Sequence, residues 1–229
     1  MGAAADDPCM THLAATPITR VSDLFTLVGS RLIPTLLFTT MATVSVLAVG
    51  AAPSASAAAF HLLSATLWGL FIVLINIRPA PLRRNRSAVG VVVALISQLA
   101  VIAVGLFGAR TDGGVAVLAS DVLLIAGLVF AICSVAVLGR CFGILPDVRG
   151  LVTRGPYRLV RHPLYLGELT AVLGIVLGSR RPLLAGGTWL VCVGLQLART
   201  TYEERNIRAE FPQYDEYAAR TKRLIPGVL

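Results

Sequence analysis

Lysine is almost missing from this chain: Lys222 is the only one in 229 residues, so arginine carries nearly all of the positive charge. Charge of either sign is scarce, at 14% of residues, where soluble domains average about 25%. There are four cysteines, Cys9, Cys133, Cys141 and Cys192, and no C-x-x-C pair. That spacing excludes a thioredoxin-type redox motif and a ligand-spaced zinc site, so no metal is expected. Cys133 and Cys192 fall inside apolar runs, and the set reads as small core residues rather than a disulfide frame. There is no G-x-G-x-x-G, no P-loop and no H-E-x-x-H, which removes the usual dinucleotide, nucleotide and zinc-protease devices. The first thirty residues lack the apolar stretch of a cleavable signal peptide, and Met1-Gly2 is not followed by Ser or Thr at position 6, as myristoylation requires.

What is there is hydrocarbon. Apolar residues make up 56% of the chain and mean hydropathy is +0.79, which points to a bilayer as solvent. The length suits one compact bundle. A pI near 10 is also a property of nucleic-acid binders, but the arginines lie in connectors between apolar runs. That is the pattern of inside-positive topology, so no nucleic-acid partner is expected. The arginine-for-lysine bias, beside abundant Ala, Val, Leu and Gly, is of the kind GC-rich bacterial genomes produce and places the chain in a bacterial inner membrane.

A span needs roughly 20 apolar residues at about 1.5 Å each. Four runs qualify, about 32–50, 59–77, 88–108 and 115–138, and two weaker ones follow, about 164–178 and 183–198. The fold class predicted is therefore all-α, a polytopic membrane helix bundle of about six spans. Arg78, Arg83, Arg84 and Arg86 mark the 78–86 loop as cytoplasmic, and five arginines mark 139–163 likewise. The uncharged 51–58 loop and the balanced 109–114 loop read as external. Arg180-Arg181, between spans five and six, is the exception to the rule. Gly174 and Gly178 have small-xxx-small spacing, which suggests that spans five and six form a tight hairpin. Helical character beyond the sixth run continues to about Glu210, giving a cytosolic extension that Phe211-Pro212 ends. Three regions follow: a cytosolic segment 1–30, accessory spans 31–114, and a catalytic core 115–229.

Residues 149–167 carry the densest chemistry. Gly155-Pro156 marks a turn, and His162-Pro163 marks a helix start with proline at its first position. A helix N-terminus at the cytosolic interface is a ready anion site. Arg161 and His162 stand at that mouth, with Tyr157 and Tyr165 beside it. A second polar cluster, Arg199, Glu203 and Glu204, closes the sixth run, with Arg199 and Glu203 on one helical face. Charges at the edge of hydrocarbon are costly and tend to face a cavity or a partner.

These pieces resemble the isoprenylcysteine carboxyl methyltransferase family and its bacterial phospholipid methyltransferase-like relatives. The matching residues are Gly155-Pro156-Tyr157, Arg161-His162-Pro163-Leu164-Tyr165-Leu166-Gly167 and Arg199-x-x-x-Glu203-Glu204. Phe211-Pro212-x-Tyr214-x-x-Tyr217 and the closing Arg223-Leu224-Ile225-Pro226-Gly227 complete the set. The resemblance covers about 120–229 and implies S-adenosylmethionine as cofactor in a cytosolic pocket, with a lipophilic small molecule or membrane lipid as acceptor. It maps cofactor contacts onto Arg149, Gly150, Leu151, Val152, Tyr157, His162, Pro163, Leu164, Tyr165 and Glu203. It maps the catalytic contact with the acceptor group onto Arg199. Arg149 stands where eukaryotic members carry His.

Methyl transfer from a sulfonium is an in-line displacement, and alignment alone supplies roughly 7–11 kcal/mol. A carboxylate acceptor, held by the Arg199 fork, needs no general base. Glu203 suits the cofactor's ammonium or ribose, the helix opening at Pro163 its carboxylate, and Tyr157 or Tyr165 its sulfonium. His162 reads as a ligand, not a base. Thiol and amine acceptors stay open beside the carboxylate. Two other classes share part of the pattern. An NADPH-dependent reductase of the sterol-reductase type shares R-H-P and the terminal I-P-G but has Asn at the position of Leu164. A lipid transporter or binding protein calls for polar residues within the first four spans, which offer little beyond Asn76, Gln98 and Asp121.

Overall fold

The computed structural model describes residues 28–85, 87–107 and 115–225. The expectations for the N-terminal segment up to residue 27, for Arg86, for the 109–114 loop and for Pro226-Gly227 lie outside them. Seven α-helices occur among the described residues. They are α1 (Ile33–Val49), α2 (Ala55–Ile77), α3 (Ala88–Phe107), α4 (Val115–Leu138), α5 (Pro163–Leu177), α6 (Pro182–Glu210) and α7 (Tyr214–Arg220). The only β pairing there is two isolated bridges, Arg83 with Val148 and Val160 with Lys222.

Each long helix follows an apolar run, and the boundaries have local causes. Ser54 Oγ accepts from Ala57 N at 3.2 Å and caps α2. Proline stands in the first turn of α1, α5 and α6, where a missing N–H costs nothing. At 29 residues α6 is about 43 Å long and outruns the hydrocarbon. Helices α1, α2, α4 and α6 are long and apolar enough to cross a membrane; α3 up to Val104 and α5 are apolar but shorter. The chain is an all-α bundle of membrane helices.

The tightest contact in the bundle joins α4 to α5. A Cβ built on Gly127 would lie 2.4 Å from Ala171 N, one on Gly167 2.7 Å from Ala131 N, and one on Gly174 2.6 Å from Leu124 N. Gly127/Ala131 and Gly167/Ala171 are small-xxx-small pairs, which let the two backbones touch. Ser120 Oγ donates to Gly174 O at 2.6 Å across the same seam. Gly174 therefore serves α4, not the α5–α6 hairpin for which its spacing with Gly178 suggested it. Phe38, Phe71, Ile75 and Leu124 fill the rest of the interior.

Cys141 is in a disulfide, against the expectation of a plain core thiol. Cys192 is free and buried; Cys133 is free and exposed on α4.

The α4–α5 seam yields a first prediction. Gly167→Leu forces a large side chain against backbone that cannot retreat, and overpacking of this sort costs about 1–3 kcal/mol or more. Thermal unfolding in detergent should show Gly167→Leu clearly less stable than the parent, whereas Gly187→Leu, with open space around it, should unfold near the parental temperature.

Candidate active site

The mouth of α5 is built by pinning the chain before it. Arg161 N donates to Lys222 O at 2.8 Å and His162 N to Arg223 O at 3.1 Å, so the C-terminal segment holds the approach to the helix. Gly155 sits at φ 58°, and its absent Cβ leaves room for Val137 at 3.2 Å. That left-handed turn starts the short helical turn Gly155–Arg158, which buries Tyr157. Tyr217 Oη donates to Tyr157 O at 2.6 Å and ties α7 to the same turn.

The two adjacent glutamates of α6 face different ways. Glu204 is buried and accepts from Arg161 Nε at 2.9 Å, His162 Nε2 at 3.1 Å and Arg223 Nη2 at 3.1 Å. It joins α6, the α5 mouth and the C-terminal segment. Glu203 Oε1 accepts from Tyr165 Oη at 2.5 Å and from Arg199 Nε at 3.0 Å, and its other oxygen lies 3.6 Å from His162 Nδ1. The His162 and Tyr165 rings stack at 5.6 Å, 8° from parallel. The α5 mouth, expected to take an anion from a ligand, thus already has two protein carboxylates beside its His162 cap.

Between this cluster and the 138–152 segment lies a pocket of about 110 Å³. Arg149, Gly150, Leu151, Val152, Tyr157, His162, Leu164, Tyr165 and Glu203, all expected from the sequence, line it together. Pro163 is fully buried behind the wall, and Arg199 is not on the lining either. Arg199 lies 4.7 Å from the Tyr165 ring centre, 2% exposed, with Nη2 donating to Ile144 O at 2.7 Å and Nη1 3.5 Å from Ser97 Oγ. Sequence reasoning did not assign Phe142, Asp147, Tyr214 or Tyr217 to the pocket. The two tyrosines stood in the quoted motif; Phe142 and Asp147 carried no signal.

The pocket is polarised. At one end Arg149 and Arg78 flank Gly143, where a Cβ would lie 2.5 Å from Arg149 Nη1 and 3.4 Å from Arg78 Nη1. Among the described residues, Asp147 lies 3.3 Å from Arg149 Nη2. Burial, and then the Arg149 charge, pulls the Arg78 guanidinium down to about 10, still cationic at neutral pH. At the other end stands Glu203. Burial pushes the phenols of Tyr157, Tyr214 and Tyr217 well above the usual range, so they stay protonated donors.

S-adenosylmethionine carries a carboxylate, an ammonium, a sulfonium, a ribose and an adenine. Three observations fit it: the arginine end for an anion, the Glu203 end for a cation, and the Tyr214 hydroxyl, buried with no partner in the pocket wall. Among the described residues no group of His, Cys, Asp or Glu is arranged to hold a metal.

The comparisons with known proteins meet the same region. Residues 114–213 match the family model described as phospholipid methyltransferase. Over 113 residues the chain is 33% identical to a probable protein-S-isoprenylcysteine O-methyltransferase of Oryza sativa subsp. indica, covering 47% of this chain and 59% of that protein. Over 76 residues, 33% of the chain, it is 36% identical to the cobalt-zinc-cadmium resistance protein CzcN of Cupriavidus metallidurans. It is 33% identical over the same length to the nickel-cobalt-cadmium resistance protein NccN of Alcaligenes xylosoxydans xylosoxydans. The matches span 35% and 36% of those two resistance proteins. Motif, helical architecture and matched region agree: through α4, α5 and α6 the chain is similar to the membrane methyltransferases described as phospholipid and protein-S-isoprenylcysteine enzymes.

Proposed function

We propose that this protein is an S-adenosylmethionine-dependent methyltransferase of the inner membrane, acting on a lipid-like acceptor from a pocket that faces the cytoplasm. The observation that carries the reading is the polarised pocket, arginine at one end and Glu203 at the other, walled by Tyr157, His162 and Tyr165. When bound, the cofactor supplies an electrophilic methyl on a sulfonium. Arg149 receives its carboxylate and Glu203 its ammonium or ribose. Tyr157 and Tyr165 offer aromatic faces to the sulfonium, a contact worth about 0.5–2 kcal/mol. Arg199 works from behind the wall: it holds Glu203, Tyr165 and the Ile144 carbonyl in one arrangement. The resemblance gives it the acceptor; the geometry gives it at least this positioning duty. The cytoplasmic orientation is supported by the arginine content of the 78–86 and 139–163 segments, of which Arg149 and Arg161 line the pocket and Arg78 flanks it.

Two tests follow. Titration calorimetry with S-adenosylhomocysteine should show binding to the purified protein and a loss of about tenfold or more in Glu203→Gln, a charge-assisted contact being worth about 1.5–3 kcal/mol. Glu204→Gln should act on the fold instead, because it removes the charge that joins Arg161, His162 and Arg223, at a cost of about 1–3 kcal/mol. Equal effects of the two variants on both readouts would refute the division of labour. For orientation, a cysteine at position 85 in a background free of the four native ones should resist a membrane-impermeant maleimide in whole cells. It should react once the membrane is opened; labelling in intact cells would put the pocket outside.

A further inference from the structure

Arg78 follows the last residue of α2, and its burial needs a cause. An arginine that only marks the cytoplasmic side of a span keeps its head in water. Arg78 is instead 7% exposed. Its Nη2 donates to Ser30 O at 2.5 Å, and its own carbonyl accepts from Arg31 Nη2 at 3.1 Å. These bonds join the end of α2 to the turn before α1, but both acceptors are neutral. They leave the Arg78 charge without a counter-ion. Buried guanidinium groups are ordinarily paired with a carboxylate. Among the described residues none is in a salt bridge with Arg78: Asp147 bonds Arg149 and acts on Arg78 only from farther away. The charge that acts on it most is that of Arg149, of like sign.

Gly143 supplies an independent observation. It lies on the lining of the pocket, and its backbone is not in the left-handed region, which among the described glycines holds Gly139 and Gly155. Glycine is therefore not required there by conformation; what the missing Cβ provides is room. That room is bounded by guanidinium nitrogens, Arg149 Nη1 and Arg78 Nη1, both within van der Waals reach of the absent methyl. Two cations, one from the end of α2 and one from the 138–152 segment, thus converge on one point of the pocket wall. Ser30 O fixes the first and Asp147 the second. Like charges held together away from water repel unless an anion lies between them. Asp147 offers one negative charge to two guanidinium groups, and Arg31 and Arg84 add further positive potential from a distance. The cluster is short of an anion.

We infer that Arg78 is a second ligand of the cofactor's carboxylate, gripping it together with Arg149 beside Gly143. The inference rests on the methyltransferase reading and adds to it a residue of α2's end, outside the 114–213 region that matches known methyltransferases. A carboxylate has two oxygens and about four lone-pair sites, so it accepts from both guanidinium groups at once. Neither arginine has to move far to reach it, because Ser30 and Asp147 already hold them. The site then selects for a ligand that carries a carboxylate beside its ammonium, and α2 belongs to the cofactor site as well as to the bundle.

A comparison of two ligands separates this role from that of a joint between α1 and α2. The ligands are S-adenosylhomocysteine and its decarboxylated analogue, which keeps the adenosine, thioether and ammonium but has no carboxylate. In calorimetry the full-length protein in detergent should bind S-adenosylhomocysteine about 100-fold more tightly than the analogue. In Arg78→Gln that preference should shrink to about tenfold or less, through weaker binding of S-adenosylhomocysteine, while the analogue keeps its affinity within about twofold. Gly143→Ala keeps the Arg78–Ser30 bond but places a methyl against Arg149 Nη1 and Arg78 Nη1. It should shrink the preference in the same way, and it decides the matter if Arg78→Gln does not fold. Equal weakening of both ligands in Arg78→Gln, or of neither, would make Arg78 a structural joint and overturn the inference. So would a parental preference in Gly143→Ala, or a parent that binds the two ligands equally well. A parent that binds neither ligand would instead overturn the methyltransferase reading.

Discussion

The close approach of α4 and α5 is the constraint on which the candidate site depends. Glycine or alanine at 127, 131, 167 and 171 brings the two backbones to within one missing methyl of each other. In a bilayer, hydrophobic burial does not drive helices together, so such packing and the Ser120–Gly174 hydrogen bond must do so. Fixing α5 on α4 sets the depth at which α5 begins. His162, Tyr165 and Glu168 then follow at fixed heights, in contact with Glu204, Glu203 and Gln196 respectively. Every polar contact between α5 and α6 described above inherits its position from an apolar seam on the other side of α5.

Adjacent residues on a helix point about 100° apart, and Glu203-Glu204 turns that geometry into two functions. Glu204 meets three basic side chains and ties the end of α6 to the α5 mouth and the C-terminal segment; Glu203 meets a phenol and a buried guanidinium on the pocket wall. A buried carboxylate is expensive to desolvate, and the charge-assisted bonds around each offset that cost only when all of them form. The end of α6, the 155–162 segment and the C-terminal segment are therefore expected to order together.

The helices were legible because hydrocarbon dictates them: each apolar run of the sequence became a helix, and the α6 extension followed from polar residues continuing a helical pattern past the interface. The pocket wall was legible because its residues are close in sequence, from Arg149 to Tyr165. Long-range partners were not. Ile144 and Ser97 meet Arg199 across 55 and 102 residues, and no local pattern announces such contacts. Gly174 was read against the wrong neighbour, because small-residue spacing marks a face without naming what it faces. Glu168 was passed over because a single acid inside Leu-Tyr-Leu-Gly-Glu-Leu-Thr reads as an interruption of a span until its depth and the cavity it lines are seen.

The contacts around α5 also divide along the line of similarity. Tyr165, Glu168, Gln196, Arg199 and Glu203, which link α5 to α6, fall within residues 114–213, the region matched by the phospholipid methyltransferase model. The α1 and α2 residues of an apolar cavity beside α5 fall outside it. Chemistry that must align a methyl donor with a nucleophile tolerates displacements of only about 1 Å, whereas an apolar wall tolerates exchange of side chains of similar volume. The helices that precede the matched region supply such a wall, with Met41, Phe60 and Trp68 lining one cavity with Glu168 of α5.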